Sequence, residues 1–213
     1  MESSYFSGDD ILKMEKRKRA AFVNSLSGFK SASLIGTVDG EKNTNLAIFS
    51  SIVHIGSDPA LIGFISRPDA GNRHTLENIL ETQCFTINHI NCAIYRSAHQ
   101  TSARYPKQVS EFDATGLTPE FQPSFPAPYV KESHIKYGLL FAEKHDLKIN
   151  GTILVIGKVV QVIVPDHCLL PDGAIDIEGA ETVAIAGLDS YHSTTRLSRL
   201  TYAKTDRSPE DIL

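Results

Sequence analysis

Residues 151–164, GTILVIGKVVQVIV, constrain the fold of this chain more than any other stretch. β-Branched and apolar residues fill the run almost completely, and Gly157 interrupts it near the middle, so it reads as a long strand bent at that glycine. Gly151 and Gly157-Lys158 approach a phosphate-loop pattern. The spacing is one residue too long and Val159 stands where Ser or Thr would hold magnesium, which excludes that reading. A strand this long needs neighbours, and the sequence supplies shorter ones bounded by turn residues. Ala32–Val38 ends at Asp39-Gly40 and is expected to pair with Thr44–Ile55. Leu46–Ile55 and Ala60–Ser66 flank Gly56-Ser57-Asp58-Pro59, which predicts a hairpin. Phe85–Ile90 alternates apolar and polar residues like a half-buried strand, with His89 a satisfied histidine on its polar face. Val183–Leu188 and a short segment near Leu200–Ala203 follow. About five to seven strands with few helices predict a mainly β chain, a small closed barrel with peripheral helices.

The helical signals are fewer. Ser7-Gly8-Asp9-Asp10 has the form of a capping box and predicts a helix running to about Leu26, with Lys16–Arg19 as its solvated basic face. Leu76, Ile79 and Leu80 recur at helical spacing directly after Arg73-His74-Thr75. The free N–H groups of a helix start attract an anion; Arg73 adds forked donors, His74 a ring N–H and Thr75 a hydroxyl, a set that suits a phosphate. The same residues also fit plain capping by Thr75 or Asn72, with Arg73 in solvent. Residues 95–109 look helical in part until Pro106, and residues 113–134, with Gly116 and four prolines, read as a long loop serving as a lid or a subunit-spanning arm.

Several chemistries are excluded. A net charge of −4 and a pI near 6.0 give no general attraction to nucleic acid or an acidic membrane. No apolar run approaches the ~18 residues that span a bilayer, and the polar, acidic start MESSYFSGDD is no secretory leader, so the cytoplasm is expected. Cys84, Cys92 and Cys168 are too few and too odd in number for a disulfide framework and are expected to be buried; no His or Cys spacing suits a metal. Neither a G-x-S-x-G elbow nor a Cys-His signature supplies a nucleophile. No G-x-G-x-x-G follows a strand, so a nicotinamide nucleotide would have to dock in an open cleft.

The strings NLAIFSS (45–51), RPDAGNRHTLENI (67–79), FTINHI (85–90), SAHQTSARYP (97–106), SEFDATGLTPE (110–120), PYVKESHIKYG (128–138) and LTYAK (200–204) occur in one order. Together they resemble the flavin reductase-like family with the FMN-binding split-barrel fold, over roughly residues 20–204 of a single domain spanning 1–213. The resemblance implies a split β-barrel of Greek-key type with peripheral helices, and a homodimer with FMN near the subunit interface. It implies that Arg73, His74 and Thr75 hold the phosphate, that Asn45, Phe49, Ser50 and Ser51 lie along the ring edge, and that Ser66 and Arg67 close its other side. His99, Thr101 and Ser102 would meet the ribityl hydroxyls and pyrimidine carbonyl. By pattern alone Ser50, Ser51 and Ser66 also fit outward strand positions, and Thr101 or Ser102 a helix N-terminal cap. His192 and Lys204 would approach from a neighbouring subunit or stay exposed. The implied activity is FMN-dependent transfer of reducing equivalents from NAD(P)H to an unidentified acceptor, with no essential acid or base assigned. Two other classes share these features: a flavin-binding electron carrier or sensor without turnover, and a haem-binding or cofactor-free interaction module.

Overall fold

A computed structural model describes residues 2–68 and 74–212. Its elements in order are α1 (Gly8–Lys13), α2 (Lys16–Ser25), β1 (Lys30–Ser31), β2 (Ser33–Val38), β3 (Thr44–Phe49), β4 (Val53–Ser57), β5 (Ala60–Ser66), α3 (His74–Thr82), β6 (Cys84–His89), α4 (Tyr95–Gln100) and α5 (Glu111–Thr115). There follow β7 (Pro119–Gln122), β8 (Phe125–Val130), β9 (Lys136–Leu147), β10 (Thr152–Ile163), a single 3-10 turn at Asp166–Cys168, β11 (Ala184–Ala186) and β12 (Ser190–His192). The main sheet has seven strands in the order β3-β2-β6-β9-β10-β5-β4, every described pair antiparallel.

The two edge strands of that sheet, β3 and β4, are consecutive in the chain and joined only by Ser50-Ser51-Ile52. A three-residue link spans roughly 10–14 Å, so the sheet must curl until its edges nearly meet. The split barrel that the resemblance implies is open at this seam, and the expected continuous strand Leu46–Ile55 is cut at Ser50–Ile52. The link is held to β5 by a side chain. Ser51 Oγ accepts from the Ile65 N–H and donates to the Ile65 carbonyl, both at 3.1 Å, replacing a ladder bond with a hydroxyl.

Two apolar clusters sit on opposite sides of the sheet. One joins Ile35, Phe64, Phe85, Ile87, Leu139 and Val155 to Leu76 and Ile79 of α3. The other joins Leu34, Leu46 and Ile90 to Ala98 of α4, Phe112 of α5, Val130 of β8 and Ile185 of β11. β2, buried along its whole length, contributes to both. β10 bends where expected: its register against β9 shifts between Ile156 and Gly157. A Cβ on Gly157 would lie 2.6 Å from Phe85 Cζ and 2.9 Å from Leu139 Cβ, so the glycine lets the strand approach two fully buried side chains.

Several expectations give way to non-local packing. The N-terminal helix breaks at Met14, where the backbone is extended, and restarts on Glu15, whose carboxylate accepts from the N–H groups of Arg17 and Lys18. The capping box at Ser7 and Asp10 is present. β6 is buried on both faces rather than half-buried, because residues 113–134 form the end of α5 and a β7–β8 hairpin that covers its polar side, instead of a loop. Thr86 donates to the Pro128 carbonyl at 2.6 Å, and Asn88 Oδ1 accepts from the Val130 N–H at 2.9 Å. β9 was not anticipated at all. Leu200 and Lys204 form only isolated bridges, in place of a last strand. Cys84 and Cys168 are buried, whereas Cys92 is exposed.

Two outcomes follow. Gly157→Ala should cost about 1–3 kcal/mol in urea unfolding through overpacking; an unchanged midpoint would contradict the close approach. Burial holds the His89 ring at about 4, below its ordinary 6.5. The unfolded chain therefore takes up this proton first, so the contribution of neutral His89 is complete above about 6.5 and is lost as pH falls towards 4. Replacing it in His89→Gln should flatten the loss of stability between pH 7 and 5 in denaturant titrations, and parallel curves would contradict this.

Candidate active site

At the seam the protein opens a cavity of about 780 Å3. β3 and the Ser50-Ser51 link line one side, the end of β5 (Ile65, Ser66) with Arg67 and Pro68 another, and the first turn of α3 a third. The segment leaving α4, from His99 through Thr101 to Tyr105, faces them, with Ile185, Leu188 and Asp189 at the rim. Asn45, Phe49, Ser50, Ser51, Ser66, Arg67, His74, Thr75, His99, Thr101 and Ser102 all line this one space; Arg73 lies outside the described residues.

The start of α3 is fixed by buried side chains. Asn45 Nδ2 donates to Thr37 Oγ1 at 3.2 Å and to Thr75 Oγ1 at 3.0 Å, and Asn78 Nδ2 donates to the same Thr37 oxygen at 3.1 Å. Because Thr75 Oγ1 accepts from Asn45, its own proton is left to donate elsewhere. Phe49 stacks edge-on with Phe64, centroids 4.9 Å apart, and Phe64 with Phe85 at 5.7 Å, so the cavity wall is continuous with the core. The hydroxyl of Ser51 is committed to Ile65, which leaves its main chain for the cavity.

Thr101 and Ser102 stand at the C-terminal end of α4 and not at a helix start. Their hydroxyls donate to the carbonyls of Ala98 at 2.8 Å and His99 at 2.7 Å, which leaves each oxygen as an acceptor. His99 Nδ1 lies 3.0 Å from the hydroxyl of Tyr191. Burial, with help from Asp189, pushes that phenol up to about 12, so it stays protonated and can donate. His192 packs edge-on against Phe29 at 4.8 Å and pairs with Ser190, and Lys204 is exposed; neither lines the cavity within one chain.

Glu111 is the main residue that sequence reasoning missed. It lines the cavity from the first turn of α5, nearly buried, and accepts from the Leu46 N–H at 2.9 Å. Burial raises its carboxyl above the usual range; the Leu46 N–H and nearby His74 pull the other way without cancelling this. The string SEFDATG held the residue, but an acid in the first turn of a short helix ordinarily faces solvent. Arg104, Tyr105 and Asp189 were also missed, and nothing in their spacing marked them. Among the described residues no group of three or more His, Cys, Asp or Glu could hold a metal ion, and no helix is long and apolar enough to cross a membrane.

The family model described as the flavin reductase like domain matches residues 26–175. A split-barrel-domain protein from Shewanella frigidimarina NCIMB 400 that carries the flavin reductase name is 54% identical, with a TM-score of 0.92 over 94% of this chain and 100% of its own. Flavoredoxin of Desulfovibrio vulgaris (Miyazaki F) is 25% identical, with a TM-score of 0.69 over 84% of this chain and 91% of its own. Nitrilotriacetate monooxygenase component B from Bacillus cereus shares the fold at 20% identity, TM-score 0.80, over 94% of this chain and 100% of its own.

The environment of Glu111 predicts a pH signature. A carboxyl whose folded pKa is raised destabilises the fold once pH rises through the unfolded value and then the folded one. Glu111→Gln keeps an acceptor for the Leu46 N–H and removes the buried charge. Its unfolding midpoint should exceed wild type at pH 8, and the gain should vanish on acidification. Equal midpoints at pH 8 would show that the carboxylate carries no burial cost.

Proposed function

This chain belongs to the flavin reductase like domain family, and from that premise we propose that it is an FMN-dependent oxidoreductase that passes reducing equivalents from NADH or NADPH to a separate acceptor. The observation that carries the reading is the convergence of eleven motif residues, drawn from four separated segments, on the one cavity at the barrel seam. Its volume of about 780 Å3 lies in the range of cofactor sites. The donor set fits FMN end to end. His74 and the free proton of Thr75 suit a phosphate at the N-terminus of α3, joined by Arg73 as the sequence proposes. The acceptor oxygens of Thr101 and Ser102 suit ribityl hydroxyls, and the main chain at Ser50-Ser51 suits the polar edge of the ring.

Bound FMN supplies a centre that accepts a hydride and releases electrons singly or in pairs, chemistry that no side chain of the cavity provides. The residues here bind and orient. Asn45 sets the direction of the Thr75 hydroxyl, Ser51 fixes the link between β3 and β4 to β5, and Phe49 ties the wall to the core. We place the whole chain in one domain working as a homodimer, with FMN near the interface. Edge strand β4 bounds the seam and exposes Ile55, an apolar position open to a second copy. The likeness to a flavoredoxin supports a second reading, an electron carrier without fast turnover. Steady-state oxidation of NADH and NADPH separates the two.

Losing a charge-assisted contact costs about 1.5–3 kcal/mol, roughly ten- to a hundredfold in affinity. Thr75→Val and Arg73→Ala should each weaken FMN by that much in flavin-fluorescence titrations, with Thr75→Val also losing about 1–3 kcal/mol of stability along with the acceptor for Asn45. Full affinity in both would remove the phosphate from α3. Light scattering at micromolar concentration should give twice the chain mass of 23.4 kDa.

A further inference from the structure

A second cavity, of about 690 Å3, adjoins the first and shares Ser50, Ser51 and Arg67 with it. The end of α2, residues 29–31 and the start of β4 supply its other walls. Val23, Phe29, Ile52 and Val53 make those walls apolar, and Phe29 is 66% exposed, high for an aromatic side chain beside a cavity. Two cations, Lys30 and Arg67, line the space, and none of its described lining residues is acidic.

Lys30 is held in place. Its ammonium donates to the carbonyls of Asn24 at 3.2 Å and Gly187 at 2.9 Å, tying the end of α2 to the turn between β11 and β12. An ammonium has three donors, and these contacts use two. Among the described residues no carboxylate pairs with Lys30 or Arg67. Partial burial, and then the charge of Arg67, lower the Lys30 pKa, which an anion between the two cations would reverse. An anchored cation with a second one nearby, beside apolar walls, suits a molecule with an apolar body and an oxyanion at one end.

We propose that the second cavity seats the oxyanion-bearing reactant of the enzyme, its phosphate or carboxylate held by Lys30 and Arg67 and its apolar body against Phe29 and Val53. This rests on the flavin reading of the first cavity, because the shared Ser50-Ser51 wall is what sets such a reactant beside the cofactor. The oxyanion has two sources, the phosphates of a nicotinamide dinucleotide donor or the carboxylate of an aromatic acceptor.

The test uses FMN-loaded protein with Lys30→Met, which keeps the aliphatic stem, Lys30→Arg, which restores a charge, and Ser31→Asp, which adds a carboxylate at an exposed lining position. Inorganic pyrophosphate and benzoate are titrated calorimetrically. KM and kcat are measured for NADH, NADPH, and the pair 4-nitrobenzoate and nitrobenzene. Lys30→Met and Ser31→Asp should weaken at least one oxyanion probe, and raise the KM of the matching reactant, by about tenfold. Lys30→Arg should recover most of it, with FMN affinity and kcat within twofold of wild type. Loss confined to pyrophosphate and the nucleotides identifies the donor, and loss confined to benzoate and 4-nitrobenzoate identifies the acceptor. Unchanged probes and KM values, or an equal rise for neutral nitrobenzene, would overturn the proposal. Failure of the flavin reading is seen separately, as protein that takes up no FMN. Pyrophosphate titration of Thr75→Val with and without Lys30→Met then still reports whether Lys30 binds an oxyanion.

Discussion

The amide nitrogen of Asn45 is the contact on which the site depends. It reaches from edge strand β3 to Thr37 on the neighbouring strand and to Thr75 at the start of α3, while Asn78 ties the same helix to Thr37 one turn further on. All four side chains are buried, so each group left unpaired would cost about 1–3 kcal/mol, and the set behaves as a unit. Its effect is positional. A helix held only by Leu76 and Ile79 could slide along an apolar surface, but one also held by directional bonds keeps its first turn at the cavity wall.

The seam itself arises from topology. A seven-stranded sheet whose outer strands are consecutive in the chain must curl, yet the three-residue link between them is too short and too irregular to continue the ladder. What remains is a gap lined by strand-edge backbone, small hydroxyl side chains and a helix start. Such a lining offers many hydroxyl and main-chain hydrogen-bonding groups beside the ionisable Arg67, His74, His99 and Asp189. Glu111 shares that lining with His74, His99 and Asp189, and its bond to the Leu46 N–H makes it a structural partner of the edge strand.

Local chemistry was legible in the sequence wherever neighbours in the chain decide the outcome. The turn at Asp58-Pro59, the bend at Gly157, the capping box at Ser7 and the helix after His74 all follow from residues within a few positions. Features set by distant partners were not legible. β9 escaped notice because its second half, AEKHDL, is polar and exposed. The β7–β8 hairpin looked like a loop because its prolines are tolerable only in a two-stranded ladder outside the main sheet, and the polar residues of β6 showed no sign of being covered by it. The site divides the same way. Resemblance marked the eleven described residues, whereas spacing alone left Ser50, Ser51 and Ser66 as ordinary strand positions; the role of Ser51 in fixing the link to β5 depends on a bond to Ile65, 14 residues away.

The measurement that tests the account most directly is the visible absorption spectrum of the purified protein, followed through anaerobic addition of NADH and then NADPH. A bound-flavin spectrum, present on isolation or restored by FMN, is expected to bleach within seconds with at least one nucleotide. Protein that takes up no flavin from excess FMN, or whose bound flavin bleaches only with dithionite, would contradict it.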